Sequence, residues 1–133
     1  MTKVLVDADA LVALAKSDDS NHKKALNILK RVNNPSFYIS PYAIPEAVTV
    51  LSYHVSQSAA KTFLAKIREK KIRQLPLTTE LERETDKIFE RQNRKGISWF
   101  DCFNVALMTT CDLDCIFSFD KFYNKAGLQM LGQ

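Results

Sequence analysis

Four acidic residues sit among apolar neighbours: Asp7 in Val-Leu-Val-Asp-Ala-Asp-Ala-Leu, Glu46 in Ile-Pro-Glu-Ala-Val, Asp101 in Ser-Trp-Phe-Asp-Cys-Phe-Asn-Val-Ala, and Asp120 in Phe-Ser-Phe-Asp-Lys-Phe. Carboxylates gathered without cations raise one another's pKa until one or more protonates. A divalent cation removes that conflict. Oxygen-only ligands favour Mg²⁺ or Mn²⁺ over zinc, and no His/Cys set at zinc spacing competes. Two such ions about 3.5–4 Å apart stabilise the attacking and leaving oxygens of a phosphodiester displacement and lower the pKa of bound water. The chemistry expected is therefore metal-assisted cutting of a nucleic-acid backbone.

For these acids to meet, strands and helices must alternate. Lys3 to Val6 reads as a buried strand ending at Asp7, and Asp9 is placed to cap a helix whose apolar face is Leu11, Val12, Leu14 and Ala15. A second helix is expected from about Ser20 to Val32, stopped by Asn33-Asn34-Pro35, and a second strand from Ser36 to Ser40. Ser40-Pro41 is a helix start, with Pro45 expected to kink or restart that helix before His54, and Glu46 one to two turns in. Another helix spans about Ser58 to Lys70, and Ile72 to Leu77 reads as a strand. Thr78 or Thr79 then caps a charged helix to about Arg94. Gly96 ends it, and Ser98 to Asp101 opens the next helix. Asp114 to Phe119 is a further strand, and Leu128 to Leu131 a short last one. The fold class expected is α/β, a three-layer α/β/α arrangement around a central, mostly parallel sheet, in a single domain over residues 1–133. In such sheets ligands bind beyond the carboxyl ends of the strands, where Asp7 and Asp120 follow strands, Glu46 lies in the helix after the second strand and Asp101 in the first turn of a helix, so that the four could meet at one edge.

Composition narrows the class. The chain has 133 residues, 46% hydrophobic and 26% charged, enough for one self-sufficient core. Asp7 and Asp9 interrupt the first apolar run, so neither a signal peptide nor a membrane span fits there. Cys102, Cys111 and Cys115 are an odd number without a CxxC pair, which suits reduced thiols and a cytoplasmic location. The net charge of +4 admits an anionic partner. Lys61, Lys66, Arg68, Lys70, Lys71 and Arg73 crowd one stretch, and Arg91, Arg94 and Lys95 another; either run is a solvated helix face or a phosphate-contacting surface.

Taken in order and spacing, the four acidic motifs resemble those of PIN-domain ribonucleases, over essentially the whole chain, and most of all the VapC-type toxins of toxin–antitoxin pairs. The resemblance implies that Asp7, Glu46 and Asp101 ligate the principal Mg²⁺ or Mn²⁺ and that Asp120 completes the site, with Ser118 binding water or phosphate beside it. Asp9 departs from the family, where Asn, Ser or Thr is commoner; the extra charge either strengthens metal binding or caps the helix. The activity implied is endonucleolytic hydrolysis of RNA by water, leaving a 5′-phosphate and a 3′-hydroxyl. A homodimer and a cognate antitoxin are implied as partners.

Each residue also has a plainer role. Asp7 fits an Asx-turn, Glu46 a helix dipole, Asp120 a cap on the short segment after it, and Ser98 with Asp101 a capping box. His22 reads as a surface or capping residue and His54 as a helix histidine near the core. The cysteines read as small buried hydrophobes, and Trp99 and Phe100 as seals of the core or a dimer contact. Tyr42, Arg94 and Lys95 are candidate RNA contacts at the site's rim. Two rival functions remain. Asp7-Ala8-Asp9 after a strand fits a haloacid-dehalogenase-like phosphatase, although Leu11 stands where Thr or Val is expected and no matching lysine and acidic pair follows. The other rival is a non-catalytic PIN-like module that binds RNA or protein.

Overall fold

The first strand is apolar on both faces, the pattern of a strand covered by helices on either side. In the computed structural model, which describes residues 1–133, this strand is β1 (Thr2–Val6). Together with β2 (Pro35–Ile39), β3 (Ile72–Gln74) and β4 (Cys115–Phe117) it forms one sheet of order β3-β2-β1-β4, with every neighbouring pair parallel. Val4, Val6, Ile39, Cys115 and Phe117 pack beneath α1 (Ala8–Ala15), α2 (His22–Arg31), α3 (Ala43–His54) and α4 (Gln57–Arg68). On the other face, Leu5, Tyr38 and Ile116 pack beneath α5 (Thr79–Glu90), α6 (Trp99–Thr110) and the short α7 (Phe122–Lys125). The period-two alternation of strand side chains thus divides one hydrophobic interior into two layers.

Topology decides where a site can form. The chain steps outward from β1 to β2 to β3 under α1 to α4, then crosses the opposite face through α5 and α6 to reach β4 on the far side of β1. The strand order therefore reverses between β1 and β4, and the loops leaving these two strands diverge to leave a crevice. Asp7 follows β1, and Ser118 and Asp120 follow β4. Phe103 and Leu107, both wholly buried, anchor α6 and so hold Asp101, in the first turn of that helix, at the same edge.

Several local expectations change. Asp7, not Asp9, caps α1: its Oδ1 accepts from the Ala8 N–H at 2.8 Å, while Asp9 lies inside the first turn. Ser40-Pro41 does not open α3. Ser40 Oγ instead accepts from the Tyr42 N–H in a turn, and the helix begins at Ala43 without a side-chain cap. Pro45 neither kinks nor restarts α3, because it falls in the first turn, where its missing N–H has no helical partner to lose. Glu46 accordingly sits only one turn in. The charged helix capped by Thr78 stops at Glu90 rather than Arg94. β3 and β4 are shorter than their apolar runs, and Leu128 to Leu131 contributes only an isolated parallel bridge, Ile116 to Met130. His54 is exposed at the end of α3, not near the core. No helix is long and apolar enough to cross a membrane.

Candidate active site

The reversal between β1 and β4 opens a cavity of about 290 Å³ lined by Asp7, Asp9, Asp19, Glu46, Asp101 and Asp120, with Ala8, Val12, Asn21 and Val50. Five of these acids are those singled out in the sequence, drawn from four separate segments. No lysine or arginine lines the cavity, and the chain's side-chain ion pair, Lys16 to Asp18 at 2.9 Å, belongs to neither wall. Three helix N-termini partly offset the gathered charge: α1 begins beside Asp7 and Asp9, α3 carries Glu46 in its first turn, and α6 carries Asp101.

The plainer roles and the shared cavity coexist, because a carboxylate has two oxygens. Asp101 Oδ2 accepts from the Ser98 N–H at 3.0 Å and Ser98 Oγ accepts from the Asp101 N–H at 3.0 Å, a complete capping box; Asp101 Oδ1 receives only the Tyr123 hydroxyl, at 3.4 Å. Asp120 Oδ1 accepts from the Phe122 N–H at 2.9 Å. Asp7 is held on both sides: Oδ1 accepts from Asn104 Nδ2 at 3.2 Å, and Oδ2 from Ser118 Oγ at 2.9 Å. These local bonds fix each side chain's direction before any ligand arrives.

Ser118 is the hinge of the network. Its Oγ accepts from the Asp120 N–H at 3.1 Å and lies 2.9 Å from Asp7 Oδ2 and 3.2 Å from Asp9 Oδ2. One hydroxyl proton faces two carboxylates, so the pair must share a further proton or a cation. Burial, then repulsion from Asp9, pushes Asp7 up to about 7 against the pull of the Ser118 and Ala8 bonds. Burial, then Asp7 and Asp101, pushes Glu46 up to about 7. Asp9 is raised by burial, opposed by bonds from the Phe119 N–H and Ser118. Its Oδ1 is buried with no hydrogen-bond partner at all.

That orphaned oxygen and the crowding around it suit a hard cation with oxygen ligands. No three of the acids stand in a ready-made coordination cage.

Asn104 and Tyr123 were not singled out in the sequence. Asn104 lies one turn beyond Asp101 on α6 and donates to both Asp7 and the Tyr123 hydroxyl, at 3.2 and 2.9 Å. Its signal was present: a polar amide three residues after Asp101, on the same face of a helix whose neighbouring residues are apolar. Tyr123, wholly buried, had none. Burial and the surrounding carboxylates push its phenol upward, so it stays a hydrogen-bond donor. Arg94 and Lys95 are exposed on the loop between α5 and α6 and do not line the cavity. Cys102, beside Asp101, and Cys115 are buried as expected, with the Cys102 thiol pushed up to about 11, whereas Cys111 is only half-buried.

A larger cavity, about 930 Å³, lies over the α1 to α4 face, away from the carboxylates. Leu14, Leu29, Phe63 and Ile67 are among its apolar walls, with Lys66, Lys70 and Lys71 at its rim.

The PIN-domain family model matches residues 4–127. The chain belongs to the PIN-domain family. Among solved structures, this PIN domain is similar to the Mycobacterium tuberculosis toxin VapC20, described as cleaving the sarcin-ricin loop, with a TM-score of 0.84 and 22% identity over 94% of this chain and 95% of that one. It is also similar to VapBC2 from Rickettsia felis bound to a promoter DNA fragment (TM-score 0.68, 11% identity, 97% and 96% covered). FitAcB from Neisseria gonorrhoeae gives a TM-score of 0.67 at 9% identity, with 97% and 96% covered. No curated protein matches at a significant level. At these identities the likeness establishes the VapC-type PIN fold.

Proposed function

We propose that this PIN domain is a metal-dependent endoribonuclease of the cytoplasm, the toxin of a toxin–antitoxin pair. The observation that carries the reading is the single acidic cavity at the β1/β4 reversal, with Asp9 Oδ1 unpartnered and Asp7 and Glu46 both pushed up to about 7. Asp7, Glu46 and Asp101 would hold Mg²⁺ or Mn²⁺, with Asp120 and Asp9 completing the set and Ser118 positioning Asp7. When bound, the ion supplies Lewis-acid stabilisation of charge at phosphorus.

The chain's own groups do the rest. Ser118 and Asn104 hold Asp7, and the capping box and Tyr123 hold Asp101, which limits how far these two carboxylates move as a cation and substrate arrive. Asp7 and Glu46, both pushed up by burial and by neighbouring carboxylates, would give up their protons on taking up a cation. Arg94 and Lys95, exposed on the loop that feeds α6 but outside the lining of the cavity, would serve as phosphate contacts for the flanking strand.

VapBC complexes among the similar structures support an antitoxin as partner, and the apolar cavity over α1 to α4 offers it a seat: an apolar segment flanked by acids complements the lysine rim. A homodimer is the expected assembly.

The test pairs calorimetric titration of Mn²⁺ with cleavage of a panel of structured RNAs, using wild type, Asp7→Asn and Asp101→Asn. Binding and cleavage lost in both variants supports the reading. Undiminished Mn²⁺ binding in both removes it. Turnover of a small phosphomonoester with RNA left intact would favour the phosphatase instead.

A further inference from the structure

Four aromatic rings stand where α3 and α6 begin. Trp99 stacks on Phe103 at 5.5 Å with 15° between planes and donates its Nε1–H to Asp86, and Phe103 is wholly buried; these two seal the core. Phe100 does not. It is 41% exposed, braced from behind by Tyr42 at 5.0 Å and by Trp99 at 5.9 Å. Phe100 is adjacent in sequence to Asp101, and Tyr42 lies one helical turn before Glu46. The aromatic pair and the two acids therefore ride on the same two helix ends. Phe100 and Tyr42 stand just outside the lining of the acidic cavity, one residue from Asp101 and one turn from Glu46.

We propose that Phe100, backed by Tyr42, is a stacking platform for one nucleobase of the RNA strand next to the phosphate held at the acidic cavity. The inference rests on the nuclease reading and names a binding residue for it. An exposed ring that is held edge-on by its neighbours loses little entropy when a second flat face covers it. Its free area, on the order of 80 Å² for a side chain of roughly 200 Å², matches one stacked ring. A stable protein–protein interface needs about 800 Å² on each partner. A stacked base is also the contact that repelling carboxylates require: it draws the strand toward a site whose surface charge, before a cation binds, opposes phosphate. Every base has a π-face, so the platform positions the strand without selecting its sequence.

The experiment uses a single-stranded oligoribonucleotide carrying 2-aminopurine at successive positions, with wild type, Phe100→Ala, Phe100→Leu and Phe100→Trp in Mn²⁺. Steady-state cleavage gives KM and kcat, 2-aminopurine fluorescence reports stacking, and light scattering gives the mass. Phe100→Ala is expected to raise KM about 5- to 150-fold with kcat nearly unchanged. Phe100→Trp should restore KM, Phe100→Leu should not, and 2-aminopurine quenching should appear with wild type and vanish in Phe100→Ala. Equal KM in wild type and Phe100→Ala, with cleavage intact, overturns the platform and leaves the nuclease reading standing. Rescue by Leu as complete as by Trp, or a KM change accompanied by a halved mass, makes the ring a packing or subunit contact and also overturns it. If wild type neither cuts nor binds the strand, the nuclease reading falls and the platform with it.

Discussion

Replacing Asp7 by Asn should make the metal-free protein more stable, and more so the higher the pH. A carboxyl whose folded pKa lies above its unfolded value binds its proton more tightly when folded, so stability is lost as pH rises from the unfolded pKa to the folded one. For Asp7 that window runs from 3.8 to about 7. The displacement is roughly 3 pH units, and at about 1.36 kcal/mol per unit it amounts to on the order of 4 kcal/mol. This is an upper bound, because the repulsion is shared with Asp9 and Asp101. The amide keeps the local bonds. Its oxygen accepts from Ala8 and Asn104, its NH₂ donates to Ser118 Oγ, and the Ser118 proton turns to Asp9. Urea unfolding in EDTA should therefore show Asp7→Asn equal to wild type near pH 4, about 2 kcal/mol more stable at pH 5.5, and about 2–4 kcal/mol more stable at pH 8. Saturating Mn²⁺ should reverse the order, adding about 2.7 kcal/mol to wild type at one hundred times its Kd and little to the variant. A variant no more stable than wild type at pH 8 without metal would refute the claim that burial and neighbouring carboxylates oppose the charge on Asp7.

Other expectations follow from the same network. Ser118→Ala leaves the Asp120 N–H and two carboxylates without their shared partner and should cost about 1–3 kcal/mol by urea unfolding in EDTA at pH 8. Ser98→Ala removes a complete capping box from α6 and should cost about 1 kcal/mol; it should also weaken Mn²⁺ binding in calorimetry, because Asp101 loses one of its two constraints. Tyr123→Phe leaves Asn104 one donor short of a partner and should lower the melting temperature by several degrees, read by circular dichroism. Cys102 and Cys115 should resist alkylation at pH 8 in the native protein and react on unfolding, followed by mass spectrometry.

Much of the fold was legible because its signals are local. An aliphatic run ending in Asp7, helical spacing of apolar residues, the Ser98 to Asp101 cap and alternation of strand with helix together imply a parallel sheet covered on both faces. Asp7 and Asp120 were legible as residues that follow strands, and Asp101 as part of a helix start, since such ends are sequence events. Element ends were less so. Pro45 and the Ser40 turn show that a cap depends on which backbone groups are already satisfied, and apolar runs such as Ile72 to Leu77 outlast the strand partners available to them. Only the tertiary structure decided that Asn104 and Tyr123 lie beneath the acids, that one hydroxyl serves Asp7 and Asp9 together, and that Phe100 faces outward while Trp99 faces in. These facts depend on side chains from segments up to 111 residues apart meeting across the β1/β4 reversal. Periodicity specifies which face of an element is buried; it carries no information about which distant element supplies the neighbour.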